Sequence, residues 1–388
     1  MQKTITRQKL NEIFIVCSFL LYLLFTQDSI NAIPAFKTSL SRQVILVLSL
    51  LLFLLPLILE LKKSIRERKM VVVLLLRFLY FPILSLIYME DYYHFLSYLL
   101  LISIFPIVFI CISNLKIDSY SLLVLLTKIS VILVAVQIST AFLYLVFSGH
   151  GLFQIKHLIA IPFGNSNTIA SIIVLQTVLC LFLLKNRIYF IISIISLLFT
   201  ISRWGFFSFI IIIGIALILK SNDKHKVRTV IIYTVLLVLI YVVLSQLLPT
   251  YLVVYNNAIS NLFNSDYANL FNGRDTVYDF YYDRIVAQPV FGYGLGIETP
   301  ECGMAHNFLF QSLYFGGIIG SLIYYCPYIV LLKNNQKASF IDRFFFPILV
   351  LALFVNGFAE NCFFTAPAEF ISAIYISLLY RCQSETRK

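Results

Sequence analysis

Apolar runs close to 20 residues long recur along the whole chain of 388 residues, and they restrict its fold more than any other feature. A helix of about 20 apolar residues spans roughly 30 Å of bilayer hydrocarbon. The runs are continuous, whereas the strands of a membrane β-barrel alternate between apolar and polar residues. The composition, 60% hydrophobic and 12% charged, also differs from that of soluble proteins. The sequence therefore predicts an all-α polytopic membrane protein.

The apolar runs predict about twelve transmembrane helices within one integral membrane domain that covers residues 1–388. The predicted spans are 11–26, 44–61, 70–89, 95–112, 121–147, 168–184, 188–201, 204–219, 229–248, 307–332, 344–357 and 368–380. The first run follows three basic residues, as in a signal peptide. No small-residue cleavage site comes after it, so we predict that it is retained.

The distribution of Lys and Arg predicts that both termini face the cytoplasm. In that orientation the cytoplasmic segments carry 21 of these residues and the external segments carry 6. Most of the net charge of +11 follows from this bias. No basic stripe alternates with aromatic residues on a soluble domain, so the charge does not indicate a nucleic-acid partner.

One external loop, residues 249–306 between the ninth and tenth spans, is much longer than the others. Long loops in compact proteins are usually functional or disordered, and the many aromatic residues of this loop argue against disorder. Within it, aspartates recur every fourth residue across 273–289, and apolar residues occupy another face. Gly273 precedes this segment and Pro289 ends it, which predicts a short helix in the loop.

The stretch FGYGLGIETPECGMAHN, residues 291–307, closes this loop. Its glycines do not match GxGxxG, because position 297 is Ile, and no βαβ unit surrounds them. We therefore predict that the glycines form a tight turn rather than a nucleotide site. Asn307 is the predicted N-cap of span ten, and His306 lies at the entry of that span.

Several motifs lie on the predicted external side in a fixed order. They are FGNSNTIA (163–170), SRWG (202–205), Arg274 at the start of the loop helix, PVFGYGLG (289–296), His306–Asn307 and GGIIG (316–320). In these motifs, over about residues 160–330, the chain resembles the O-antigen polymerase and O-antigen ligase superfamily of bacterial inner membranes. One polymerase pattern, an Arg followed by Gly sixteen positions later, is not met, because Gly292 comes eighteen positions after Arg274.

The resemblance implies a GT-C-like membrane glycosyltransferase in the bacterial inner membrane, with its active site on the periplasmic or external face. Such an enzyme transfers a glycan from undecaprenyl pyrophosphate to an acceptor hydroxyl. We favour a polymerase that joins lipid-linked repeat units of O-antigen or capsule. A ligase acting on lipid A-core is the alternative, and a lipid-linked oligosaccharide flippase is the second. The implied partners are lipid-linked oligosaccharides, membrane lipid and a chain-length regulator protein. No cofactor or metal is expected.

The candidate residues for the leaving pyrophosphate are Arg203, Arg274 and Arg284. Fixed cations stabilise developing phosphate charge strongly where water is excluded, and arginine donates paired hydrogen bonds to phosphate oxygens. Arg203 and Arg274 match the arginines of the family best. The alternative for all three is an ion pair or a side chain that extends to the membrane surface, since Asp275 and Asp283 adjoin two of them.

The candidate general base for the acceptor hydroxyl is His306, because imidazole is the side chain that most often accepts or donates a proton in catalysis. Glu298 and Glu301 are alternative bases from the same loop. Three asparagines are candidates to bind sugar or phosphate, or alternatively to cap helices: Asn165, Asn167 and Asn307.

Charged residues elsewhere give weaker predictions. Arg77 falls inside the third span, where an ionisable group is a functional candidate by default. It lies about a third of the way from the cytoplasmic end, so the favoured interpretation is that it extends to that surface. Glu360, on the external side, is a further candidate for the same cavity as the loop residues.

Overall fold

The structure is a computed structural model that describes most of the chain. The described residues are 6–25, 42–58, 68–149, 166–220, isolated positions between 228 and 235, 275–297, 304–335, 344–358 and 363–385. The helices among them are α1 Arg7–Phe25, α2 Arg42–Ile58, α3 Arg68–Tyr88, α4 Tyr92–Asn114, α5 Ser119–Ser148, α6 Ser166–Leu179, α7 Arg187–Phe199, α8 Arg203–Lys220, α9 Asp275–Ala287, α10 Phe308–Asn335, α11 Phe345–Gly357 and α12 Ala366–Glu385. The prediction of an α-helical membrane protein is confirmed.

Helices lie at every predicted span that falls within the described residues, whereas span nine (229–248) falls almost entirely outside them. By length and composition, α3, α4, α5, and α6 with its π-helical extension (Cys180–Leu184) can each cross a membrane, and α10 is long enough only when it is counted as one continuous helix. The number of spans and the orientation of the chain in the membrane stay predictions.

Short polar residues between the apolar runs set where several helices begin. Asp91, Asp118 and Asn186 accept hydrogen bonds from backbone N–H groups of the first turns of α4, α5 and α7. Such caps satisfy donors that the first turn of a helix leaves without partners. The local sequence therefore determines these boundaries.

The most deeply buried helix is α12, which is covered on nearly all sides. It packs on α4 and α5, and also contacts α6, α10 and α11. Its last turn is fastened to α4, because the Arg381 guanidinium donates to the carbonyls of Ile112 and Leu115. Beside it, α3 and α10 pack on each other.

Candidate active site at the end of α11

The tenth predicted span is not one continuous helix, because α10 folds back on itself at Gly317. Gly317 has φ 57° and ψ −160°, a conformation that is essentially restricted to glycine. The Tyr325 hydroxyl donates to the Phe308 carbonyl at 3.1 Å, and their rings lie 5.4 Å apart. In a straight helix these two residues would be about 25 Å apart. The prediction of a single helix over 307–332 is therefore wrong, because the Gly316–Gly317 pair permits a hairpin.

The glycine stretch of the preceding loop is built into this fold of α10. The carbonyls of Tyr314 and Phe315 accept hydrogen bonds from Tyr293 and Gly294 N–H (3.0 and 2.7 Å), so loop donors replace those of the helix. On the other side of the break, the N–H groups of 318 and 319 donate to the carbonyls of 289 and 290. The loop thus satisfies the backbone groups that the break would otherwise expose.

Close packing explains why this loop is rich in glycine. Gly292, Gly294 and Gly296 all have positive φ, between 70° and 83°. A Cβ on Gly294 would lie 2.7 Å from the Ser85 Cα, so no larger residue fits against α3. The Ser85 hydroxyl also accepts a hydrogen bond from Leu295 N–H at 2.6 Å. The glycines were predicted to form a tight turn; in the structure their positive φ values instead shape a segment that pairs with the break in α10.

The first arm of α10, residues 308–316, separates the break at Gly317 from His306 and Asn307, which directly precede the arm. Over about nine residues this arm is roughly 13 Å long, which brings the two residues beside the end of α11. The Asn307 side chain donates to the Phe358 carbonyl at 2.9 Å and accepts from Leu309 N–H, so the predicted N-cap is confirmed. His306 is half-buried and has φ 49°, in the left-handed region.

Arg203 lies at the same helix end, although it precedes His306 by about 100 residues in the sequence. It is the first residue of α8, and the neighbouring Trp204 donates its indole N–H to the Val355 carbonyl at 3.0 Å. The end of α11 thus accepts hydrogen bonds from the SRWG turn on one side and from Asn307 on the other. Arg203 itself is half-buried.

The beginning of α6 completes the arrangement. Gly205, in the first turn of α8, is so close to Ala170 that an added Cβ would lie 2.5 Å from the alanine Cβ. Asn167 is one turn earlier on α6. We call Asn167, Arg203, His306 and Asn307 around residues 355–358 the α11 end site. Three helix starts, those of α6, α8 and the first arm of α10, meet here.

The helix starts and the guanidinium of Arg203 favour an anion at the α11 end site, and two carbonyls at the negative C-terminus of α11 already accept hydrogen bonds from Trp204 and Asn307. Helix starts carry partial positive charge from N–H groups that have no intrahelical partner. Negative groups such as phosphate bind at such positions. Together with the guanidinium of Arg203, these helix starts make the site suited to a phosphate-bearing ligand, and His306 adds a group that can accept a proton.

Arg284 is placed apart from this site. It lies in the last turn of α9, an exposed position, with its guanidinium over the rings of Phe280 and Tyr293 at 5.5 and 6.0 Å. The first arm of α10 packs along α9, with Tyr278 on Phe310 near the start of both. Arg284 is therefore near the break in α10, roughly 13 Å from the end that carries His306. The predicted helix in the long loop, 273–289, is confirmed as α9.

Several predicted site residues fall outside the described residues. They are Asn165, Arg274, Glu298, Glu301 and Glu360. Arg274 directly precedes α9 in the sequence, and the first turns of α9 pack on the first arm of α10. These assignments stay predictions.

Arg77 does not extend to a membrane surface, and the favoured interpretation of it is wrong. Its side chain is fully buried and donates to Glu369 Oε1 at 2.8 Å. Glu369, which lies in the first turn of α12 at the beginning of a predicted span, was not predicted as its partner. An acidic residue in one span could have signalled a partner for a basic residue in another, since unpaired charges are costly in lipid.

A second pair that was not predicted from the sequence is Asp91, which precedes α4, and His94, in the first turn of α4. Asp91 Oδ2 lies 2.5 Å from His94 Nδ1, and this hydrogen bond lowers the pKa of the Asp91 carboxyl. The backbone N–H of Asp91 also donates to the Gly296 carbonyl, which ties the start of α4 to the glycine loop. We interpret this pair as the cap of α4, which keeps its charge to a lower pH than an ordinary aspartate would.

Comparison with known protein families places these features in context. Residues 188–325 match the family model described as O-antigen ligase. This region contains α7, α8, α9 and most of α10, with Arg203 and His306. It is an O-antigen ligase-family domain. The predicted membership of the O-antigen polymerase and ligase superfamily is thereby confirmed, and an activity of the ligase or polymerase type is supported. The comparison with curated proteins found no match.

Proposed function

We propose that this protein is a metal-independent polymerase of undecaprenyl-pyrophosphate-linked repeat units. It transfers the growing glycan from its lipid pyrophosphate to a hydroxyl of an acceptor repeat unit. The observation that carries the proposal is the α11 end site, where Arg203 and His306 lie beside three helix starts. Both residues belong to the region 188–325 that matches the O-antigen ligase family.

In the proposed reaction, His306 accepts the proton of the acceptor hydroxyl as its oxygen attacks the anomeric carbon of the donor sugar. The bond between that carbon and the pyrophosphate oxygen breaks, and the lipid pyrophosphate leaves with the bonding electrons. Arg203 and the helix starts stabilise its developing charge. Arg274 is a second predicted contact to the pyrophosphate, and Asn167 and Asn307 are predicted to bind sugar or phosphate.

An apolar groove supports a lipid-linked donor. A cavity of about 430 Å³ lies between α5 and α7, lined by Ile138, Phe142, Ile195 and neighbouring residues. The rings of Phe142 and Phe199 meet at one end, 5.7 Å apart. Phe199 is the last residue of α7, just before the turn that leads to Arg203. A prenyl chain in this groove would have its pyrophosphate near the α11 end site.

The ligase alternative has a specific observation in its favour, because the matching family model is described as O-antigen ligase. The two reactions share a donor and differ in the acceptor. The flippase alternative requires charged groups that line a path at mid-depth. Among the described residues, the fully buried charges are Arg77 and Glu369, and they bind each other rather than line an open path.

The glycan ladder on a gel tests the proposal and its alternative. Cells that lack the protein are expected to show lipid A-core with a single repeat unit, or capsule precursors of one unit. If deletion instead leaves bare core while long polymer accumulates on undecaprenyl pyrophosphate, the protein is a ligase. If single units accumulate on the cytoplasmic side, it is a flippase.

We predict that Arg203→Ala lowers polymerisation by about 100-fold at normal protein abundance, because removing one preorganised donor to a developing anion costs this much. Arg203→Lys should recover part of the activity, since it keeps the charge but loses the paired hydrogen bonds. Arg187→Ala, an exposed change at the start of α7, is the matched control and should leave the ladder unchanged. A full ladder with Arg203→Ala would contradict the proposed role.

A further inference from the structure

Arg77 and Glu369 form a charged pair in the interior of the helix bundle. Both side chains are fully buried. The Arg77 guanidinium stacks on the Tyr324 ring, 3.8 Å from its centre, and lies 5.7 Å from the Phe105 ring. Among the described residues, Arg77 Nε and Nη1 and Glu369 Oε2 have no hydrogen-bond partner. The pair thus links α3 to α12 and contacts α10, but three of its polar atoms make no hydrogen bond among the described residues.

Stability alone does not explain such a pair. Removing two charges from water is costly, and apolar residues of similar volume often replace a buried ion pair without loss of stability. An ionisable residue within a membrane domain is therefore first examined for a functional role. The contacts of the pair show what that role is.

Two tyrosines connect the pair to the α11 end site. Tyr324, under the guanidinium, donates to the Phe363 carbonyl at 2.6 Å. The next residue, Tyr325, donates to the Phe308 carbonyl at 3.1 Å. Phe308 directly follows His306 and Asn307. The hydroxyl of Tyr325 therefore holds the end of the first arm that carries His306 against the second arm.

The same helix, α3, also holds the opposite end of the first arm. One turn after Arg77, the Tyr80 hydroxyl shares its one proton between the carbonyls of Gly316 and Phe291, at 3.0 and 3.2 Å. Phe81 packs edge-on against Tyr324. Residues of α3 thus contact the break in α10 through Tyr80 and the second arm of α10 through Phe81. The ion pair with Glu369 fixes α3 relative to α12.

We propose that the Arg77–Glu369 pair is a positioning element for His306, which sets the depth and orientation of the first arm of α10 through Tyr324 and Tyr325. This inference rests on the proposed function for the importance of His306, but the position of the arm can be measured without activity.

The test measures the accessibility of position 306. In a cysteine-free variant, His306→Cys is labelled with a water-soluble maleimide, alone and together with Arg77→Gln, Glu369→Gln or Tyr325→Phe. We expect each added change to alter the labelling rate at least about fivefold. Tyr282→Cys, at an exposed position on α9, is the reference site and should label at one rate in all backgrounds. Tyr325→Phe removes a single hydroxyl and serves as the variant that keeps the fold.

Turnover per folded molecule is measured in parallel with His306 restored. Positioning predicts that Tyr325→Phe and Arg77→Gln lower kcat about tenfold with little change in KM. A purely structural pair predicts lower abundance with unchanged kcat and labelling rate, and that result would overturn the inference. If His306→Ala is active while the labelling rates still change, the proposed function fails and the positioning of the arm stands.

Discussion

Gly317→Ala is expected to prevent correct folding of the membrane domain. The added Cβ would lie 2.6 Å from the Phe291 nitrogen, in contact with backbone that cannot move as a side chain does. The backbone conformation of Gly317 is also unfavourable for any residue with a Cβ. We expect a loss of at least ~3 kcal/mol in unfolding free energy, since strain and a backbone clash act together.

Gly149→Ala is the matched control for this prediction. Gly149 also has positive φ, 69°, where it ends α5, but nothing lies within 4 Å of its added Cβ. Its substitution should cost only about 1 kcal/mol from backbone strain. The measurement is the thermal unfolding midpoint of the purified proteins in detergent, together with their abundance in membranes. Equal effects of the two changes would contradict the hairpin in α10.

His306→Ala is expected to lower glycan polymerisation by about 10²–10⁴-fold, the usual contribution of a general base. Abundance and unfolding midpoint should stay near those of the unchanged protein, because Asn307, rather than His306, caps the first arm. The readout is the rate of chain extension with lipid-linked donor and acceptor in reconstituted membranes.

The control for His306→Ala is Asp279→Ala, an exposed change on α9 that should leave the rate unchanged. An active His306→Ala enzyme would transfer the role to Glu298 or Glu301, the alternative bases of the same loop.

Much of the fold and part of the candidate site could be predicted because their causes are local. The apolar runs that predicted the spans, the asparagine that caps α10 and the segment that forms α9 each depend on residues close together in the sequence. The motif resemblance likewise identified Arg203 and His306, which the structure brings to the two sides of one helix end.

The predictions that failed concern contacts between distant residues. The hydropathy of the tenth span is the same whether α10 is straight or folded. Only the hydrogen bonds between the glycine loop and the break at Gly317 show that α10 is folded. Similarly, hydropathy predicts that Arg77 extends to a membrane surface, because a hydropathy profile cannot show that its partner Glu369 lies 292 residues later in the sequence.

By itself, the sequence determined that this protein folds in a lipid bilayer, that it is helical and where several of its helices begin. It also determined which residue types are available to the candidate site. Apolar composition and helix capping act within a few residues, so they do not need the fold. Only the tertiary structure decided that α10 is a hairpin, that Arg77 pairs with Glu369 and that the starts of three helices meet at the end of α11. These outcomes depend on which backbone and charged groups can satisfy one another inside a medium without water.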